Sequence, residues 1–127
     1  MSRGVADTSV FIAQETEREL GALPDEIAVS VVTAAELELG VLRAQDTETR
    51  ARRLATLSRV RASYPLLPIT SSIASRFAQI AAIELEDGRK LRRHDAWIAA
   101  TAVHHGAAVL TQDRGFSKFS TVEVVFV

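Results

Sequence analysis

Residues 94–116, HDAWIAATAVHHGAAVLTQDRGF, decide the fold. They read as an Asp-capped helix, a glycine stop, a short buried strand and a second aspartate where that strand ends. Asp95 stands in the first turn of the helix, and Ile98, Ala99 and Ala102 follow at spacings of three and four that define one apolar face. Gly106, tolerant of positive φ, closes it. Residues 107–110 are too few for another helix, and an unbroken apolar run after a helix is expected as an interior strand of a parallel sheet. Asp113 follows that run directly. Taken singly, each aspartate has a plain structural account, because helix starts and post-strand turns are where such side chains commonly go. Chemistry requires that further acids reach the same place.

Working outward, the same alternation recurs. Val5 and Ala6 form a brief first strand ending at Asp7, and Thr8 and Ser9 lead into a helix carrying Val10, Phe11 and Ile12. Pro24 and Asp25 mark a turn, and residues 27–32, largely β-branched, form a second buried strand. Thr33-Ala34-Ala35-Glu36 fits a capping box in which Thr33 caps and Glu36 reaches back. It also sets Glu36 in the first turn of a helix that follows a strand. Leu37, Val41 and Ala44 are that helix's inner stripe, while Leu39 and Leu42 lie off it, a second apolar face suited to another helix or another subunit.

Asp46 or Thr47 caps a further helix to about Ser63, with Ala51, Leu54 and Leu57 inward and its arginines mostly outward. Residues 66–69 read as a third strand, confined to a sheet edge by Pro68. Ser71 or Ser72 starts a helix in which Ile73, Phe77, Ile80 and Ala81 share a face, and Gly88 stops it. Glu84, Glu86 and Asp87 near its end are expected to be solvated. Residues 122–127 would close the sheet as a last strand.

Strand and helix in alternation imply a single α/β domain over residues 1–127, with a central, mostly parallel sheet of four to five strands flanked by helices. The composition agrees: 127 residues, 47% hydrophobic and 24% charged, suffice for a real core and exclude a disordered chain. The absence of cysteine removes disulfides, thiolate metal sites and cysteine nucleophiles. With no signal pattern and no apolar run of membrane-spanning length, a soluble cytoplasmic protein is expected. A net charge of −1 excludes a uniformly basic nucleic-acid binder, so local clusters matter more. Arg50, Arg52, Arg53, Arg59 and Arg61 form one cluster; Arg89, Lys90, Arg92 and Arg93 form another, which runs into Asp95 and is the better candidate for holding phosphates.

In folds of this kind the carboxyl ends of the strands form the ligand crevice. Asp7 ends the first strand, Glu36 follows the second and Asp113 follows the fourth; Asp95 joins them if its helix begins at the same rim. Unpaired carboxylates about 4 Å apart repel by roughly 4 kcal/mol per pair at an effective dielectric of 20. Such a cluster needs a cation or shared protons, and an all-oxygen site suits Mg²⁺ or Mn²⁺. Two such ions are suited to the hydrolysis of a phosphodiester, one generating hydroxide and the other stabilising the leaving oxygen. Thr8, Ser9 and Thr111 are short hydroxyls beside the acids, able to orient a carboxylate, a water or a phosphate.

These residues also carry a resemblance. Asp7-Thr8-Ser9, Thr33-Ala-Ala-Glu36-Leu37 followed by Gly40, residues 95–102 (DAWIAATA) and residues 111–116 (TQDRGF) resemble the signatures of PIN-domain ribonucleases, and more narrowly of VapC-type toxins of bacterial toxin-antitoxin pairs. The resemblance covers essentially the whole chain and implies a PIN-like three-layer fold. It matches Asp7, Glu36, Asp95 and Asp113 to the family's metal-binding, catalytic acids. It further implies Mg²⁺- or Mn²⁺-dependent RNA cleavage, a homodimer and inhibition by a cognate VapB-type antitoxin; from the second basic cluster, Arg89, Arg92 and Arg93 are the expected RNA contacts, with the antitoxin's acids as the alternative partner of the arginine-rich segments. Two departures stand out. Arg3-Gly4 precedes the first acid where the family has a longer apolar strand, and Gly115 takes a position often acidic or polar in relatives, offering no extra metal support there.

Competing accounts are weaker. A catalytically degenerate module of the same fold, binding RNA or protein without cutting, is at odds with the presence of all four acids. A non-nucleolytic phosphoryl-transfer enzyme would need a phosphate-cradling glycine-rich loop with its lysine, which the chain lacks. Of the histidines, His94 beside Asp95 is the candidate for substrate contact, whereas His104 and His105 suit a helix C-terminus. Trp97 lies off the Ile98 face and is expected in packing or an interface.

Overall fold

In the computed structural model, which describes residues 3–127 and within them all side chains but those of Ser117 and Lys118, strands and helices alternate. The order is β1 (Arg3–Ala6), α1 (Thr8–Glu15), β2 (Glu26–Ser30), α2 (Val31–Leu42), α3 (Thr47–Ser63), β3 (Leu66–Leu67), α4 (Ser71–Glu86), α5 (Arg93–His104), β4 (Ala108–Thr111), a 3₁₀ turn (Arg114–Lys118) and β5 (Val124–Phe126). All five strands are parallel, in the order β3-β2-β1-β4-β5. The chain runs outward from β1 through β2 to β3, then crosses back to place β4 on the other side of β1. The strand order therefore reverses between β1 and β4, where an open parallel sheet leaves a crevice at its carboxyl rim.

Period-two alternation sends the central strands' side chains into two cores. Val5 and Val109 face α4 and α5, joining Ile73, Ile80, Ile98 and Phe116. Ala6, Val29 and Leu110 face α1, α2 and α3, joining Phe11, Leu37, Leu57 and Val60. The sheet is covered on both sides, which is the expected three-layer architecture. Ala6 pairs with Leu110 in register, so Asp7 and Thr111 leave the ladder side by side. Gly4 explains the unusual approach to the first acid, because a Cβ there would sit 2.6 Å from the buried Leu110 side chain. Gly106, with φ +62°, ends α5 as expected, and Gly88, with φ +72°, follows α4.

Several local expectations change. β2 ends at Ser30, whose hydroxyl accepts from Val32 N and caps α2. Thr33 is therefore inside the helix and fully buried, and Glu36 makes no capping box. α5 has no side-chain cap: Arg92 holds that position, and Asp95 sits one turn inside. On α3 the buried face is Thr56, Leu57 and Val60, while Leu54 is 49% exposed. Glu84 is not solvated; it is 4% exposed and paired with Arg89. β3 is an edge strand of only two residues. Among the described residues, no helix is long and apolar enough to cross a membrane.

Candidate functional site

Asp7 is the fixed point of the rim. Its backbone N–H donates to Leu110 O at 3.0 Å, continuing the β1–β4 ladder, and its side chain caps α1. Oδ1 accepts from Ser9 N at 3.1 Å and Ser9 Oγ at 2.6 Å, and Oδ2 accepts from Thr111 Oγ1 at 2.6 Å. The same two hydroxyls accept from Gln112 N (2.9 Å, to Ser9) and Asp113 N (2.8 Å, to Thr111). Backbone donors thus orient the hydroxyls, and the hydroxyls orient the carboxylate. Burial raises the Asp7 pKa above the ordinary carboxylate range, against the lowering effect of the Ser9 and Thr111 bonds.

Glu36 lies one turn into α2, where its Oε1 accepts from Thr8 Oγ1 at 2.7 Å and its Oε2 lies 3.4 Å from His94 Nδ1. Each of the three hydroxyls picked out in the sequence thereby rests on one of the four acids. Asp113 follows β4 and caps the 3₁₀ turn, with Oδ1 accepting from Gly115 N at 2.8 Å.

Asp95 projects from the first turn of α5, its side chain only 16% exposed. Burial pushes its carboxyl up to about 6; Arg92 opposes that rise, and Asp113, Asp7 and Glu36 add to it by repulsion. The other three acids are therefore within electrostatic reach of Asp95. Asp95 Oδ2 is buried and has no hydrogen-bond donor. Arg92 Nη2 stands 2.9 Å from it, but off the direction of a hydrogen bond, so the contact is ionic only.

Arg92 is the component that sequence reasoning missed as part of the acid cluster. It was expected at the RNA, yet its guanidinium turns inward, pairing with Asp113 Oδ2 at 2.5 Å as well as with Asp95. The i,i+3 spacing from Arg92 to Asp95 was the available signal. Arg89 is also engaged elsewhere, donating to Glu84 and Asp87 at 2.7 and 2.8 Å, which ties the end of α4 to the following loop. Arg93 remains exposed, and among the described residues it makes no ion pair. With Lys90, His94, Glu36 and Asp95 it lines an open cleft of about 460 Å³. A second cleft of about 700 Å³ adjoins Glu36 and His94 and runs along Ile12, Leu39 and Arg43. Trp97 stacks on Phe77 at 3.9 Å between ring centroids, a packing role. Another cavity, of about 500 Å³, opens at the opposite end of the strands beside Arg3, Tyr64 and His105, and holds none of the four acids.

Among the described residues, no three His, Asp or Glu side chains converge closely enough to hold an ion in this conformation. Asp7 is turned to its hydroxyls, Glu36 to Thr8 and His94, and Arg92 lies against both Asp95 and Asp113. The donor set nevertheless fits a hard divalent cation. It consists wholly of carboxylate oxygens, and Asp95 Oδ2 is a buried anionic atom with no hydrogen-bond donor, the kind of oxygen a cation stabilises.

Comparison with known proteins agrees with the fold. The PIN domain family matches residues 5–122. The chain is 44% identical to Ribonuclease VapC5 of Mycobacterium tuberculosis over 127 residues, covering 96% of this chain and 93% of that protein. It is 41% identical to Ribonuclease VapC4 of the same organism, covering 97% and 95% respectively. Among solved structures, VapBC-5 from Mycobacterium tuberculosis, a member of the VapBC family of toxin-antitoxin systems, superposes with a TM-score of 0.86 at 42% identity, covering 100% of this chain and 98% of that one.

Proposed function

The chain belongs to the PIN-domain family, in the VapC group, and we propose that it is a ribonuclease toxin that hydrolyses RNA phosphodiesters with a divalent cation, Mg²⁺ or Mn²⁺, held by Asp7, Glu36, Asp95 and Asp113. The observation that carries this reading is the buried, donorless oxygen on Asp95, a carboxylate that also feels the charges of Asp113, Asp7 and Glu36. Such a cluster is unfavourable for folding alone and becomes favourable around a cation. When bound, the ion supplies Lewis-acid polarisation of the phosphodiester and activation of water.

The chain's own residues account for the remaining parts. Ser9 and Thr111 hold both oxygens of Asp7, fixing the carboxylate against the strand ends before substrate arrives. Thr8 does the same for Glu36 across α1 and α2. Arg93 and Lys90, exposed beside the acids, attract and position the RNA backbone, and His94 sits at the mouth where it can donate to a phosphate oxygen. Arg89 is not part of that surface, because Glu84 and Asp87 hold it.

An antitoxin of the VapB type covers the cleft between α1 and α2. Leu39, which lines it, is 51% exposed and Leu42 on the same helix is 70% exposed, more apolar surface than one helix needs in water, and the cleft leads to Glu36. The VapBC-5 relative is a toxin-antitoxin pair, which supplies the identity of the partner class. The protein is expected as a homodimer.

The test is cleavage of total cellular RNA by purified, antitoxin-free protein, in Mg²⁺ or Mn²⁺ and in chelator, beside the Asp95→Asn variant. Cleavage that needs both metal and Asp95 is the expected result. Equal cleavage in chelator would overturn the metal-dependent reading. No cleavage by folded protein under any condition would favour a module that binds RNA or protein without cutting it.

A further inference from the structure

Arg92 occupies a place built for it. Its guanidinium pairs with Asp95 and Asp113 together, and Asp7 also contributes to its attraction. The third wall is Gly115: a Cβ at that position would lie 1.4 Å from Arg92 Nη1 and 2.6 Å from Cζ. No positive φ calls for glycine there, since the only positive-φ glycines among the described residues are Gly88 and Gly106. What glycine provides at 115 is room, and the room is taken by the guanidinium. Any side chain at 115 would expel Arg92 from between the acids, because the far end of a flexible arginine yields more easily than the backbone of the 3₁₀ turn.

A guanidinium and a divalent cation cannot share these carboxylates. Arg92 uses one oxygen of Asp113 and lies against the buried oxygen of Asp95, the atom with the greatest need of a cation. A divalent ion entering beside it would meet like-charge repulsion at contact distance, and Arg92 would have to leave. Its stem begins at the N-cap of α5, with the side chain 39% exposed, so the route out lies through solvent.

We propose that Arg92 is a resident counter-cation that competes with metal for Asp95 and Asp113, and that Gly115 makes the competition possible, so that the toxin chain itself limits its metal affinity without any antitoxin. This rests on the metal-dependent reading above. The two residues act as a lock and its seat: the apo acids are held neutralised, and loading is coupled to release of the arginine toward the cleft.

The experiment measures Mn²⁺ affinity by calorimetry, without RNA, for the full chain and for Arg92→Gln, Gly115→Ala and Arg92→Gln/Asp95→Asn. Arg92→Gln is expected to bind Mn²⁺ at least tenfold more tightly than the parent chain. Gly115→Ala should tighten binding in the same direction although its arginine is intact, a result that mere removal of a positive charge does not foresee. The double variant should lose the gain. Binding by Arg92→Gln that is equal to or weaker than the parent's would overturn the competition while leaving the metal site standing. Tighter binding in Arg92→Gln with none in Gly115→Ala would reject the seat. Absence of Mn²⁺ binding in the folded parent and every folded variant would instead bring down the metal reading itself.

Discussion

Asp95→Asn should stabilise the metal-free protein, and the size of the effect follows from the burial of one carboxyl group. In the folded chain that group titrates at about 6, against an ordinary value of 3.8. The folded state therefore binds more protons than the unfolded state between those values, and stability falls as pH rises through that window. Above it, the ionised Asp95 carries the whole penalty, about 3 kcal/mol at 1.36 kcal/mol per unit. The competing contribution is a carboxylate in the first turn of α5, which the helix dipole favours by about 0.3–1 kcal/mol. Burial wins by severalfold. Arg92 already offsets part of the penalty within that shifted value, and in the variant it keeps its bond to Asp113. Asparagine removes the charge with little change in shape, so thermal and urea unfolding in chelator near pH 7.5 should show a gain approaching 3 kcal/mol. With an unfolding entropy of about 2.1 cal/mol/K per residue, that corresponds to a melting temperature higher by roughly 10 °C. Near pH 4 the gain should shrink toward zero, since the wild-type carboxyl is then protonated in the fold. Saturating Mn²⁺ should also narrow the gap, by stabilising the parent and not the variant. A lower melting temperature for Asp95→Asn at both pH values would refute the reasoning and leave Asp95 a structural first-turn residue.

Three further substitutions separate the parts of the site. Ser9→Ala removes the shortest bond to Asp7 Oδ1 and leaves Gln112 N–H without that acceptor; it should cost about 2 kcal/mol in urea unfolding and lower activity at saturating RNA, whereas unchanged values would make the Ser9 network dispensable. Gly4→Ala places a methyl group against Leu110 and should lose about 1–3 kcal/mol of stability by overpacking, read as a drop in melting temperature with Mn²⁺ affinity unaltered. Arg93→Ala should weaken RNA binding and reduce the slope of log K against log salt by about 0.7, the signature of one lost phosphate contact to a single strand; the same slope with unchanged affinity would exclude it from the RNA path.

How much of this was legible depended on whether the signal was local. The hydrophobic pattern of residues 94–116 fixes a helix, a glycine stop and a buried strand, and the structure has α5, a positive-φ Gly106 and β4 in those places. Parallel pairing followed from strands separated by helices, and with it the convergence of Asp7 and Asp113 on one rim. Boundaries failed where two local rules competed. Thr33 and Glu36 satisfy a capping-box pattern, yet Ser30, the last residue of β2 and the ladder partner of Leu67, caps α2 three residues earlier. Burial on α3 failed for a different reason. Leu54 is more apolar than Thr56, but Thr56 shares the face of Leu57 and Val60 that packs inward and donates to Glu15 Oε1 of α1 at 2.8 Å, a contact 41 residues away in the chain.

The arginines show where composition ceases to inform and geometry takes over. Arg89, Arg92 and Arg93 lie within five residues and are chemically identical, so no pattern rule assigns them different tasks. Glu84, buried at the end of α4, captures Arg89; the acids of the rim capture Arg92; Arg93, with no ion pair among the described residues, faces the cleft that Lys90 and Arg92 also line. Two cations can answer the demand that four neighbouring carboxylates make. One is the divalent ion proposed above. The other is Arg92, admitted because residue 115 has no side chain, so that one added methyl group there tests which cation the acids hold.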